Sequence, residues 1–314
     1  MNKKLIFKLV AIMCSALFML LILELTLRLS LQPRTNGFNS GILSKKFSEK
    51  NYILNKEGFR NPEKNLLGFS RNKKTVFFIG DSFTFGAGLK EGENFASLVK
   101  KKGFNTANYG RSGSDTLDQI KILEKFSKNK ENKINFLVYQ YFFNDIEYLI
   151  NFEPIKLGFF KKTLQRLSNY SYLVDFLYTP FLMKSGVPNY SETIFKNYDN
   201  EELANRHFKD ILKINKISKE NNMSTIFLIV PFINNHELIE KSFNYEKKLK
   251  KIFFENCRSG DAIINLRKLI ENRPIKEITV NKFDGHLSKD LHKSISSVIV
   301  NIINNKKDNL YQSC

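Results

Sequence analysis

Thr75-Val76-Phe77-Phe78-Ile79-Gly80-Asp81-Ser82-Phe83-Thr84-Phe85-Gly86 is the stretch on which the reading of this chain turns. Its first five residues are an apolar, β-favouring run ended by a glycine, the signature of a short buried strand. Gly80 permits a tight turn. Ser82 then falls just past the carboxyl end of the strand, where open α/β sheets place their ligand sites, and its backbone N–H is directed into the same crevice. Alone, Gly-Asp-Ser would suit almost any strand-to-helix turn.

Moving outward, residues 94–102 read as an amphipathic helix, and a second strand-like piece ends at Asn108-Tyr109-Gly110. Residues 117–126 are helical in pattern and 134–143 form a third apolar run. A fourth, 225–230, is stopped by Pro231; a shorter fifth covers 262–266, and 287–304 closes as a helix. Strands alternating with helices predict a parallel sheet covered on both faces. Between about 150 and 206 this rhythm is lost and aromatic-rich segments appear, which reads as a helical insertion, either a lid over the site or helices packed on the sheet edge. There is no internal repeat.

Three further blocks follow Ser82 in order: Asn108-Tyr109-Gly110-Arg111-Ser112-Gly113-Ser114-Asp115, then Phe142-Phe143-Asn144-Asp145, then Asp284-Gly285-His286-Leu287-Ser288. Each lies at the end of an expected strand or the start of a helix, so a parallel sheet would bring all four blocks to one edge. In this order the blocks resemble the SGNH/GDSL hydrolase superfamily, and the chain is most similar to membrane-anchored bacterial members with a GDSFTFG-like block. Leu54-Asn55-Lys56-Glu57-Gly58-Phe59-Arg60 is similar to a motif found upstream in such proteins. The resemblance covers residues 54 to 305. It implies a flavodoxin-like three-layer α/β/α sandwich with a parallel sheet, with Ser82 as nucleophile, His286 as base held by Asp284, and Ser82, Gly113 and Asn144 as oxyanion-hole donors. Two positions depart from the family pattern. Only Gly285 separates Asp284 from His286, where two residues are usual, so Phe283 stands where the acid is expected; and Phe142 replaces a glycine before Asn144.

The chemistry supports these roles separately. A serine hydroxyl is a poor nucleophile near neutral pH and needs a base within reach, and histidine can take the proton and return it. A carboxylate on the other ring nitrogen sets the tautomer, and fixed N–H donors stabilise the oxyanion. In an extended segment residues two apart point the same way, so Asp284 and His286 can still pair. Each residue also has a plainer role open to it: Ser82 or Asn144 as a cap, Gly113 as a positive-φ turn residue, His286 as a surface residue before a helix. His207, His236 and His292 lack comparable partners and read as structural or solvated, and Asp81 and Asp145 as turn acceptors.

The N-terminus carries an apolar run over residues 9–23, extended to Leu5 across Lys8, near the roughly 20 residues that span a bilayer. Glu24 and Arg28, four apart, can pair at the interface. No small-x-small cleavage site follows, so residues 1–31 read as an uncleaved signal anchor rather than a cleaved signal peptide. Residues 32–74 read as a membrane-proximal stalk and 75–308 as the hydrolase-like domain. Basic residues are nearly balanced on either side of the span, so the extracytoplasmic placement of the domain is an expectation rather than a count.

With 314 residues, 42% of them hydrophobic, the chain can bury an ordinary core. The net charge of +19 raises nucleic-acid binding, but the lysines fall in scattered helical clusters without a phosphate-binding pattern, so no nucleic-acid partner is expected. Cys14, Cys257 and Cys314 are odd in number and far apart, suggesting neither a disulfide framework nor a zinc site, and no motif implies a metal or organic cofactor. The expected partners are the membrane and an acylated carbohydrate or other ester. The expected activity is that of a serine esterase releasing acyl groups, acetyl above all, from envelope or secreted polysaccharide. The alternatives are an O-acyltransferase onto polysaccharide and a catalytically silent module that binds glycans or partner proteins.

Overall fold

The computed structural model describes residues 3–38, 40–60, 69–70, 72–127, 134–150 and 159–314. Residues 61–68 of the expected stalk and 151–158 of the expected insertion lie outside the described residues. The described elements are α1 (Lys3–Ser30), α2 (Ile42–Asn51), β1 (Thr75–Ile79), α3 (Ser82–Phe85), α4 (Phe95–Lys101), β2 (Asn105–Asn108), α5 (Thr116–Ser127), β3 (Phe136–Phe142) and a 3-10 turn over Phe143–Leu149. They continue with α6 (Phe159–Ser168), α7 (Tyr172–Asp199), α8 (Glu201–Glu220), β4 (Ser224–Val230), α9 (His236–Asn256), β5 (Ala262–Ile264), α10 (Leu266–Ile270) and α11 (Ile275–Ile278). The short hairpin β6 (Thr279–Asn281) and β7 (Asp284–Leu287), then α12 (Lys289–Ile303) and β8 (Tyr311–Ser313), complete the chain.

The main sheet runs β2-β1-β3-β4-β5-β8, parallel except for β8. This is the flavodoxin-like doubly wound order, and the fold is an α/β/α sandwich. β1 is buried at every residue and β4 at all but Ser224, which is why these strands read as continuous apolar runs rather than alternating ones. Right-handed crossovers put the β1-to-β2 helix and the β2-to-β3 helix on opposite faces. Accordingly α4 packs with α12, while α5 packs with α8 and α8 with α9. The chain leaves β1 in one direction for β2 and crosses back past it to β3, so the switch point lies between β1 and β3.

Three expectations need correction. Cys257 and Cys314 form a disulfide, with their Cα atoms 6.1 Å apart. Sequence separation concealed the pairing: Cys257 follows α9 just before β5, and the antiparallel β8 returns the C-terminus beside β5, where the Cys314 N–H donates to the Asp261 carbonyl. Closing a loop of 57 residues restricts the unfolded chain by about 4 kcal/mol in the chain-entropy picture. The globular unit therefore extends past residue 308 to the last residue.

The third correction concerns the stalk. Described parts of residues 32–60 pack on the domain, burying Thr35, Asn36, Leu43, Phe59 and Arg60. The polar composition misled because those side chains hold the backbone in place. Asn55 Oδ1 accepts from the N–H groups of Glu57 and Phe59, and Asp175 of α7 accepts from Leu43 N–H at the start of α2. α1 is a 28-residue helix without a buried residue, long and apolar enough to cross a membrane, which fits a single-pass anchor or a signal sequence.

Candidate active site

Ser82 is the first residue of α3, directly after the β1 turn. Gly80 sits there at φ +153°, and a Cβ on it would lie 2.4 Å from both Gln140 Oε1 and Thr84 Oγ1. The Gln140 oxygen accepts from the N–H groups of Asp81 and Thr84 and from the Thr84 hydroxyl. One buried amide from the middle of β3 therefore shapes the turn that presents Ser82. The sequence did hold a signal for it: Gln140 is the one amide in an otherwise apolar and aromatic strand, and a buried polar group needs partners.

Other residues brace the turn from outside. Gly110 lets β2 approach α3 so closely that a Cβ would lie 2.3 Å from Phe85 N. Asn108 donates to the Thr84 carbonyl. The buried Arg60 guanidinium donates to the carbonyls of Gly86 and Leu89, at 2.9 and 3.2 Å, and pairs with Glu91 at 3.0 Å. Arg60 was singled out in sequence only as part of a motif; its work is to tie down the loop that follows the Ser82 turn.

Across the crevice, β7 carries both Asp284 and His286. His286 Nε2 lies 2.7 Å from Ser82 Oγ, and His286 Nδ1 lies 2.5 Å from Asp284 Oδ1. The shortened spacing works because β7 is extended, so residues two apart face one side. A Cβ on Gly285 between them would lie 2.5 Å from Asn234 Nδ2 in the loop after β4, so a larger residue there would have to displace that amide. Phe283, at the family's usual acid position, lies instead under the Arg34 guanidinium. The imidazole rests against the Phe83 ring, 5.0 Å between centroids.

Asp284 is itself held. Its Oδ2 accepts from the Thr35 hydroxyl and its Oδ1 from the His286 N–H at 3.1 Å. Burial alone would raise this carboxyl, but the His286 ring and these donors keep it below the ordinary carboxylate range. Burial alone would likewise lower the imidazole, yet the Asp284 charge and hydrogen bond, with the buried Asp81, hold His286 above its ordinary 6.5. Thr35 carried no sequence signal, since it meets Asp284 across 249 residues.

Gly113 lies in the loop after β2 and Asn144 in the 3-10 turn after β3, the two strands that flank β1. Gly113 is exposed at φ +75°, with open space where a side chain would be. Asn144 is half-buried in the 3-10 turn; its side chain hydrogen-bonds with the Tyr190 hydroxyl of α7, and its Oδ1 has no protein partner. The insertion thus reaches the rim of the site.

Asp81 and Asp145 act as turn acceptors: Asp81 Oδ1 takes the Phe83 N–H at 2.9 Å and Asp145 Oδ2 the Phe142 N–H at 3.4 Å, while Asp145 Oδ1 also accepts from Gln119 Nε2 of α5 at 3.1 Å. Both are buried, and desolvation raises both carboxyls. His292 accepts from Phe95 N–H and stacks on that ring, and burial pushes it down to about 3. His207 is buried among tyrosines, and His236 is exposed at the start of α9.

No protein-family model matches the chain, and no curated protein matches it. Among solved structures, it is similar to a lipolytic protein of the G-D-S-L family from Veillonella parvula (12% identity, 74% of this chain and 98% of that one, TM-score 0.45). It is also similar to a psychrotrophic esterase from a Pseudoalteromonas species (12%, 74% and 98%, 0.42) and to a catalytic mutant of an acetylxylan esterase from Geobacillus stearothermophilus (13%, 73% and 94%, 0.41). Likeness at this level decides neither substrate nor activity.

Proposed function

We propose that this protein is an SGNH-type serine ester hydrolase, anchored in a membrane by α1, with Ser82 as nucleophile. The observation that carries the reading is the continuous relay from Asp284 through His286 to Ser82 at the carboxyl edge of the sheet. His286 Nε2 accepts the Ser82 proton as Oγ attacks an ester carbonyl, and Asp284 stabilises the resulting imidazolium. The N–H groups of Ser82 and Gly113 and the Asn144 amide receive the oxyanion. The imidazolium then protonates the leaving alcohol, and a second nucleophile resolves the acyl-enzyme.

With water as that nucleophile the protein is an esterase removing acyl groups, acetyl above all, from envelope or secreted polysaccharide. With a sugar hydroxyl it is an acyltransferase onto the same class of polymer. The Cys257–Cys314 disulfide supports an extracytoplasmic domain, because such bonds persist in oxidising compartments.

The full chain, solubilised in mild detergent, tests the reading with a fluorophosphonate probe. Wild type should label, and Ser82→Ala and His286→Ala should not. A wild-type protein that resists the probe would instead favour the silent glycan- or partner-binding module.

A further inference from the structure

Glu24 ends the apolar part of α1, yet it is not solvated as a lone charge at that position would be. Its carboxylate accepts from the backbone N–H groups of Tyr172 and Leu173 at 3.1 and 2.9 Å and from the Ser171 hydroxyl at 2.8 Å, so it caps the N-terminus of α7. Arg28 pairs with Glu24 at 2.6 Å and donates to the Tyr170 carbonyl at 3.1 Å. The end of the membrane-length helix and the α6–α7 turn are therefore one hydrogen-bonded unit. The 20 residues from Leu5 to Glu24 span 19 helical steps, a rise of about 28 Å, close to the hydrocarbon thickness of a bilayer. Glu24, and the turn bonded to it, then stand at the level of the lipid headgroups.

The surface of that turn is apolar where solvent would otherwise meet it. Tyr170 is 75% exposed, Leu177 64%, Leu167 47% and Phe176 41%. Leu177 lies five residues into α7 from Tyr172, within about 8 Å along the helix axis. Cations rim this patch. Lys46 lies over the Tyr172 ring, and a shallow cleft of about 530 Å³ between the chain near Phe38 and α6 is lined by Phe38, Ser40, Lys162, Gln165, Arg166 and Asn169. An exposed aromatic beside apolar side chains with a basic border is the composition that suits the interface of an anionic membrane.

We propose that the α6–α7 turn is a second membrane contact, seating Leu167, Tyr170, Phe176 and Leu177 in the interface of the leaflet from which α1 emerges. This rests on the reading of α1 as an anchor. The contact also sets where the crevice lies. From Glu24 to Leu31 the chain rises about 10 Å, and from Leu31 to Thr35, which bonds Asp284, it can span at most about 14 Å. The seated domain thus holds the Asp284 side of its Ser82 crevice within about 25 Å of the headgroup level, facing esters presented near that surface.

The chain has no tryptophan, so single replacements report their own surroundings. Full-length Tyr170→Trp and Leu177→Trp would be reconstituted in phosphatidylcholine–phosphatidylglycerol vesicles with brominated acyl chains. Phe18→Trp in α1 reports anchoring, and Phe254→Trp, exposed near the end of α9, reports background. The expected result is blue-shifted emission and bromine quenching at 170 and 177 as well as 18, with none at 254. Quenching at 18 alone would overturn the second contact and leave the anchor standing. A blue shift at 170 and 177 without bromine quenching would mean that another protein copy covers the patch, and would also overturn it. Absence of quenching at 18 would remove the anchor and the proposal together.

Discussion

His286 and His207 sit in the same molecule with the same kinds of neighbour, and they behave in opposite ways. His286 has a carboxylate directly on Nδ1 and a hydroxyl on Nε2, at the half-open edge of the sheet. His207 is fully buried where α8 meets β3; its Nε2 meets the Tyr141 hydroxyl at 2.9 Å and its Nδ1 the Tyr148 hydroxyl at 3.2 Å. The nearest carboxylate, Asp210, is one hydroxyl further on, accepting from Tyr148 at 2.7 Å. Burial drives His207 down to about 3, with Asp210 only weakly opposing, whereas the directly bonded Asp284 lifts His286. A histidine that stays neutral at every physiological pH is a strut; one poised above its ordinary value can cycle a proton. The difference is one atom of carboxylate contact and access to the crevice.

The largest test of this contrast is Asp284→Asn. Losing the carboxylate should lower kcat on a chromogenic acetate ester by about 10⁴-fold, the scale seen when a triad acid is neutralised. The base form of His286 is the active one, so wild-type kcat/KM should rise with pH through a midpoint above 6.5, and the residual activity of the variant should rise through a lower one. The same shift bears on stability. A raised folded pKa stabilises the protonated protein fully below about 6.5, and that share is lost as pH rises through the folded value. A variant midpoint equal to or above that of wild type would break the assignment of Asp284.

Next in size is Asn144→Ala. Removal of one oxyanion donor should lower kcat about 100-fold with little change in KM, read from initial rates. Unchanged kcat would mean that the hydrogen bond to Tyr190 is the only use of this amide. The smallest effect on turnover belongs to His207→Ala, which should leave kcat within a fewfold of wild type. That change instead empties a buried site and takes one partner from each of two tyrosine hydroxyls, so thermal unfolding should report a loss of about 3 kcal/mol. Loss of turnover without loss of stability would make His207 part of the reaction and erase the contrast.

Much of the fold was legible in the order of residues because its signals are local. Runs such as Thr75 to Ile79 and Ser224 to Val230 are apolar throughout since both sheet faces are covered, and turn-forming residues mark where each strand stops. Placing Ser82 at the carboxyl edge followed from its position at the end of a parallel strand, whereas His286 reaches that edge on the separate β6–β7 hairpin. The long apolar N-terminal run needed only length and composition.

What the tertiary structure decided is every property set by partners remote in sequence. Thr35 supports Asp284, Gln140 shapes the Ser82 turn, and Arg60 clamps the loop beyond it, each across an interval that no local pattern encodes. The Cys257–Cys314 bond required the direction of β8, and the stalk-like composition of residues 32–60 hid a segment whose polar groups are spent on the domain. The direction in which each histidine is shifted from its ordinary value was likewise a tertiary matter. A pKa is the sum of desolvation and nearby charge, and both are fixed only when the chain has closed around the ring.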